Sequence, residues 1–218
     1  MIDLHTHSLF SDGALIPAEL VRRFEAAGYH VVAITDHVGP SNIDFIVPRI
    51  VSAAKALNGY QSVTVIPGAE LTHVPPKLIP SLVDKARGLG AAIVVVHGET
   101  IVEPVPPGTN RAAIEARADI LAHPGLLTEE DAQLAAANGV FLEISGRPGH
   151  AFANGHVAKV ASRAGAQLII NSDFHRPSDL LTREVAEKVA DGTGLGTNSL
   201  NFFLNNSRML IDRCLSGS

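Results

Sequence analysis

Short runs rich in valine and isoleucine alternate with longer segments of helical period almost from end to end, and that order leaves few folds open. The strands expected are Ile2 to His5, Val31 to Thr35, Val63 to Pro67, Ala92 to Val96, Ile120 to His123, Val140 to Ile144 and Gln167 to Asn171. Between the first two, "PAELVRRFEAAG" begins with Pro17 at a first-turn position, where a missing N–H costs nothing, and stops at Gly28. "TEEDAQLAAANG" offers Thr128 as N-cap, acidic residues in the first turn and Gly139 as terminator. Helices of the same period are expected at Asp44 to Leu57, Ile79 to Leu89, Asn110 to Ala116, Gly155 to Ala164 and Leu180 to Ala190. Seven strand-then-helix units result, spanning about 1–190, with a last amphipathic helix near Ser199 to Leu215. The proline-rich "VEPVPPGTN" reads as a loop, so the 218 residues are expected to form one domain.

Strands alternating with helices pair in parallel through right-handed crossovers, as an open doubly wound sheet or a closed barrel. Periodicity does not choose between these, but the strand ends do. They read "LHTH", "TDH", "GAE", "VVHGE", "AHP", "LEISGR" and "NSDFH". An open sheet gathers polar groups at the crevice where strand order reverses, so two or three strands would carry them. Here all seven do, which favours a closed ring with its site at the C-terminal mouth.

Six of the ten histidines lie at those ends. In "HTH", residues two apart face one side of a strand, so His5 and His7 reach a common ion, and "DFH" repeats the spacing at Asp173 and His175. The candidate ligands are His5, His7, Asp12, His37, Glu70, His97, His123, Asp173 and His175. Imidazole and carboxylate without thiolate suit zinc, manganese or iron, and so large a donor set exceeds the coordination number of one ion. Two or three divalent ions are implied. Burying these groups with no ion would cost several kcal/mol per unpaired charge.

Composition narrows the partners. A net charge of −5 with no block of lysine and arginine gives no footprint for a nucleic-acid backbone. No apolar run is long enough to span a bilayer, and "MIDLHTH" is unlike a secretory leader. The single cysteine, Cys214, excludes an intrachain disulfide and a cysteine zinc motif. A cytoplasmic protein acting on a small molecule is expected, with its oligomeric state left open.

Taken together, "DLHTHSLFSDG", "AITDH", "PGAE", "VVHGE", "AHP" and "NSDFH" resemble the PHP superfamily, the polymerase and histidinol phosphatase domains, from Ile2 to His175. The resemblance implies a distorted, TIM-like (β/α)7 barrel holding three divalent ions. Carried over by motif, His5, His7, Glu70 and Asp173 would hold the first ion; Glu70 would bridge to a second on His97 and His123; Asp12, His37 and His175 would hold the third. It also implies hydrolysis of phosphate esters, with Glu70, Asp173 and His175 at the reacting centre and Asp173 orienting the nucleophile. A phosphomonoester of a small metabolite, in the manner of histidinol phosphatases, is the first expectation. No long insertion is present that would form a dedicated substrate cap.

A phosphate also needs cationic support beyond the ions. Arg147, just past strand six, is the first candidate, because guanidinium matches phosphate oxygens in pairs; Arg176 and Arg111 follow. Glu143 and Glu99 are expected either to act directly or to orient a ligand histidine. His73, His150 and His156 lie in loops on the mouth side, where each is a surface histidine or a proton donor to the leaving group, and His30 lies at the opposite end. Phosphodiester hydrolysis is the nearest alternative. Carbonyl hydrolysis on a related amidohydrolase barrel typically uses a bridging lysine, and no lysine stands at a strand end here. A metal-binding module without activity would show missing ligands, and none is missing.

Overall fold

A computed structural model describes residues 1–216. Its strands are β1 (Ile2–Asp3), β2 (Val31–Ile34), β3 (His37–Val38), β4 (Thr64–Leu71), β5 (Ile93–His97), β6 (Ile120–Ala122), β7 (Phe141–Ser145) and β8 (Leu168–Asn171). All but β3 form one path in chain order with every neighbour parallel, and β3 pairs beside the C-terminal half of β4. The path nearly closes on itself. Thr6 and Phe174 form a parallel bridge, with the His7 N–H donating to the Phe174 carbonyl at 2.7 Å. Nearer the barrel floor, side chains replace the missing ladder: the Leu4 N–H donates to Asn171 Oδ1 at 2.8 Å and the Ser172 N–H to the Asp3 carboxylate at 3.1 Å. Seven parallel strands thus make the nearly closed α/β barrel expected from the strand ends.

The helices are α1 (Pro17–Ala26), α2 (Ile43–Leu57), α3 (Ile79–Gly88), α4 (Thr109–Glu115), α5 (Glu129–Asn138), α6 (Asn154–Ala164), α7 (Arg183–Asp191) and α8 (Ser199–Ser216). They bury their apolar stripes against the sheet: Leu20, Val21 and Phe24 of α1 are fully covered, as are Val47 and Ile50 of α2. Such side chains contribute about 1.5–3 kcal/mol each when buried. The same packing aims the site. Phe174 is fully buried edge-on against Phe24, with ring centroids 5.1 Å apart, so its neighbours Asp173 and His175 are left to face the mouth.

Where element ends differ from expectation, the cause is local. β1 stops at Asp3 rather than His5 because the Asp3 carboxylate takes the His5 N–H at 3.2 Å. α7 starts at Arg183 rather than Leu180 because the Thr182 hydroxyl caps it, accepting from the Val185 N–H at 3.3 Å. β4 runs on past Pro67, which carries no N–H and ends the pairing with β2; beyond it the strand pairs with β3 and β5. That crossing requires Gly68. A Cβ there would lie 2.7 Å from Thr35 Cγ2 and 2.9 Å from the Ile93 carbonyl oxygen.

Candidate metal centre

The register of β3 on β4 sets His37 beside Glu70, and the C-terminal ends of the other strands bring the remaining donors to the same mouth. His5, His7, Glu70, His123 and Asp173 form its buried floor; Asp12, His37, His97 and His175 rise towards solvent around a cavity of about 220 Å³. The donor atoms fall into groups within 4.8 Å of one another, among them His5, His7 and Asp173; His7, Asp12, His37 and His175; and His97, His123 and His150. His5 Nε2 lies 3.3 Å from Glu70 Oε1, and His7 Nε2 lies 3.2 Å from Asp173 Oδ1. Bonds of about 2.1 Å to a tetrahedral ion place neighbouring donors about 3.4 Å apart, so these spacings suit ligands of a shared ion.

The fit of metal to these residues rests on buried atoms that lack partners. His5 Nε2, both ring nitrogens of His7, Glu70 Oε1, His123 Nδ1 and Asp173 Oδ1 are buried without a hydrogen bond. Each such group costs about 1–3 kcal/mol of desolvation unless something satisfies it. Cations at their convergence would do so. Several imidazoles are also held from behind, as ligands are: His5 donates through Nδ1 to Glu143 Oε1 at 2.8 Å, and His97 through Nδ1 to the Gly98 carbonyl at 3.2 Å. Glu143 takes the Asn171 amide on the same oxygen and the His123 N–H on the other, which holds the His5 ring in place, and it groups with His5 and His123 among the possible donors. Two of the donors sit in the left-handed region rarely adopted outside glycine, His123 at φ 29° and Asp173 at φ 53°.

Charge in this cluster is divided by neighbours. Burial would raise the Glu70 carboxyl, but the His5 and His37 imidazolium charges outweigh it and hold the group well below its usual range. Asp173 is held well below likewise, by His5 and His7 against burial. Burial would lower His5, yet Glu143 and Glu70 carry it well above 6.5; His37 and His97 are also raised against burial, by Glu70 and Glu103 respectively. Burial dominates at His7, lowered to about 3, and at His123, held well below its ordinary value. A cation must displace protons from the raised imidazoles. Metal affinity is therefore expected to rise with pH from 6.5 through their raised values, with proton release on binding. In the metal-free fold the same three contribute stability that is complete below 6.5 and lost as pH climbs through those values. Titration calorimetry in buffers of different ionisation enthalpy checks the release; an affinity flat across that window would refute it.

Asp36, unremarked in the sequence, fixes the loop that carries Asp12. Its Oδ1 accepts from the Ser8 N–H at 2.8 Å and the Ser11 hydroxyl at 2.6 Å, and its Oδ2 from the Ser8 hydroxyl at 2.7 Å. The loop closes on Gly13, where a Cβ would stand 2.2 Å from the His7 carbonyl oxygen. Asp36→Ala is expected to cost about 3 kcal/mol, hence about 6–12 °C in Tm, and to loosen the ion nearest Asp12. A thermal melt and a metal titration would read both effects.

The remaining candidates separate clearly. Arg147 lines the cavity and donates to the Asp173 carbonyl at 3.1 Å. Arg176 departs from its expected place beside substrate: it is exposed and paired with Asp179, because Asp179 caps the turn that begins there. Arg111 is held at the start of α5 by Glu130 and Asp131. Glu99 takes the Gly108 and Asn110 N–H groups at the start of α4 and is no ligand orienter. His156 is tied to the Leu127 carbonyl at 2.7 Å. His150 is not the surface residue its loop position suggested: it is buried, stacked on His123 with centroids 4.1 Å apart. Glu103, not singled out in the sequence, reaches into the cavity from the proline-rich loop. No lysine lines that cavity.

The family model described as PHP domain matches residues 3–164. An uncharacterized protein of Methanocaldococcus jannaschii is 47% identical over 97% of this chain and 98% of its own. Among solved structures, the histidinol phosphate phosphatase of Lactococcus lactis, crystallised with zinc, L-histidinol and phosphate, superposes with a TM-score of 0.58 at 15% identity, covering 98% of this chain and 93% of that one. The ochratoxinase of A. niger gives a TM-score of 0.65 at 13% identity, over 97% and 71%. At these identities the two structures bear on the fold alone.

Proposed function

We propose that this chain, which belongs to the PHP domain family, is a metal-dependent phosphomonoesterase of a small metabolite. The observation that carries this reading is the set of buried imidazole and carboxylate atoms without partners, converging beside Arg147. Bound divalent ions, three of manganese, zinc or iron, would supply an acidified water and neutralise phosphate charge. The chain's own groups do the rest. Glu70, within 4 Å of the Nε2 atoms of His5, His7 and His123, joins the donor groups into one centre. Asp173 presents its carboxylate to the reacting face, where it orients the attacking water, and His175 stands with Asp12 and His37 at the entrance. Arg147, on the cavity wall with its Nη1 bonded to the Asp173 carbonyl at 3.1 Å and 2.6 Å from His175 Nδ1, would offer its guanidinium to the phosphoryl oxygens.

Several features favour a small monoester. A cavity of about 220 Å³ lies below the range of about 300–1,000 Å³ typical of drug-sized ligands. A charge of −5 discourages a nucleic-acid chain. No lysine is placed for the bridging role that carbonyl hydrolysis on a related barrel would use. No helix among the described residues is long and apolar enough to cross a membrane, and the cytoplasmic location expected of the chain rests on its single cysteine, which allows no intrachain disulfide. The test is phosphate release from a panel of monoesters and diesters by metal-stripped protein reloaded with manganese, zinc or iron. Monoester turnover that chelator abolishes and metal restores is expected. Silence on monoesters with ions bound would refute the reading, and turnover of diesters alone would replace it.

A further inference from the structure

His150 is built as the ligand histidines are. It is buried, its Nδ1 is bonded to the Thr100 hydroxyl at 2.7 Å, its Nε2 lies 3.7 Å from Asp173 Oδ2, and one donor atom from each of His97, His123 and His150 lies within 4.8 Å of the others. A histidine fixed at one nitrogen by a hydrogen bond and free at the other towards a cluster of donors has the arrangement of a metal ligand. Opposite it stands Glu103. Its Oε2 lies 3.1 Å from His97 Nε2, and its Oε1 lies 3.4 Å from His150 Nε2, so the carboxylate spans the two imidazoles. His73 holds that carboxylate from outside, its Nε2 3.1 Å from Oε2, at the cost of a left-handed backbone at φ 52°.

We propose that His150 and Glu103 are additional ligands of the ion held by His97 and His123, so that metal pins the loop 98–108 over the mouth. The inference rests on the multinuclear reading above and deepens it. His97 belongs to two donor groups, one with His123 and His150 and one with His73 and Glu103, so with Glu70 shared that ion would have five protein donors, whereas the family pattern carried over from the sequence gave it three. A site so filled is nearer to a closed structural site than to one with open positions. The base of the loop is tied by Glu99 to the Gly108 and Asn110 N–H groups, whereas Ile101, Val102 and Glu103 are exposed at its tip.

Two variants test this, each with a measurement independent of turnover. Glu103→Gln keeps the side chain's shape on an exposed loop; His150→Ala removes the buried donor, and a melt of the metal-free proteins shows whether each is folded. Equilibrium dialysis against zinc or manganese is expected to show one bound ion weakened at least about tenfold in either variant, the others unchanged. Hydrogen exchange of the amides in 99–108 is expected to slow when metal is added to the wild type and to stay fast in Glu103→Gln. Wild-type affinity for every ion in both variants, with metal slowing the loop equally, would overturn the proposal alone. A wild type that binds no ion would overturn the multinuclear reading and this inference with it.

Discussion

Glu70→Gln is expected to lower phosphate release by at least about 10²–10³-fold, the loss that follows removal of one preorganised electrostatic group at a reacting centre. The side chain keeps its volume, so packing is preserved, but one oxygen becomes an NH₂ donor. Glu70 meets imidazoles from every donor group: Oε1 is 3.3 Å from His5 Nε2 and 3.8 Å from His123 Nε2, and Oε2 is 3.7 Å from His7 Nε2 and in contact with His37. An amide nitrogen at either position cannot ligate an ion that the same imidazoles hold. Metal content should therefore fall together with activity. Elemental analysis beside kcat on an active ester makes the check, and full activity with full metal content would remove Glu70 from the centre.

Chelation is expected to have the largest effect on the fold itself. An ion present at 100 times its Kd stabilises by about 2.7 kcal/mol, so removing each is expected to lower Tm by about 5–11 °C in a domain of this size. The reason lies in the floor of the barrel. Once metal is gone, His5 Nε2, His7, Glu70 Oε1 and Asp173 Oδ1 are buried with no hydrogen bond, beneath the bridge that closes the seam at Thr6 and Phe174. Calorimetry before and after treatment with chelator, and again after adding back manganese, zinc or iron, reads the loss and its recovery. A Tm indifferent to chelator in protein shown to carry ions would mean that the barrel holds these donors apart without them.

Much of the site was legible because barrel chemistry is written at strand ends. The "HTH" pair declares itself by spacing, since alternate residues of an extended segment share a face, and "DFH" repeats that spacing although Asp173 takes a left-handed backbone at φ 53°. What escaped notice lies in loops, where no period ties position to direction. Glu103 sits in a proline-rich tract that reads as a connector, and Asp36 looks like part of a ligand motif although its oxygens go to Ser8 and Ser11. Arg176 shows the converse: adjacency to His175 in sequence put it near the mouth, yet the turn capped by Asp179 directs it to solvent. β3 was invisible because two residues are too few to show a period, although its pairing is what sets His37 against Glu70.

The sequence by itself determined the alternation of strands and helices, hence a parallel α/β sheet, and the polar residues at all seven strand ends, hence a barrel whose mouth carries donors suited to metal and not to disulfide or lysine chemistry. Those follow from local properties: hydrophobic period, capping residues and side-chain identity. Only the tertiary structure decided which donor groups converge, that His150 turns inward on Thr100, that Glu143 holds the His5 ring, and that Glu103 comes back over His97. These depend on where loops of different length return to one point, and that is fixed by sheet register and barrel closure across residues far apart in the chain, which no local pattern records.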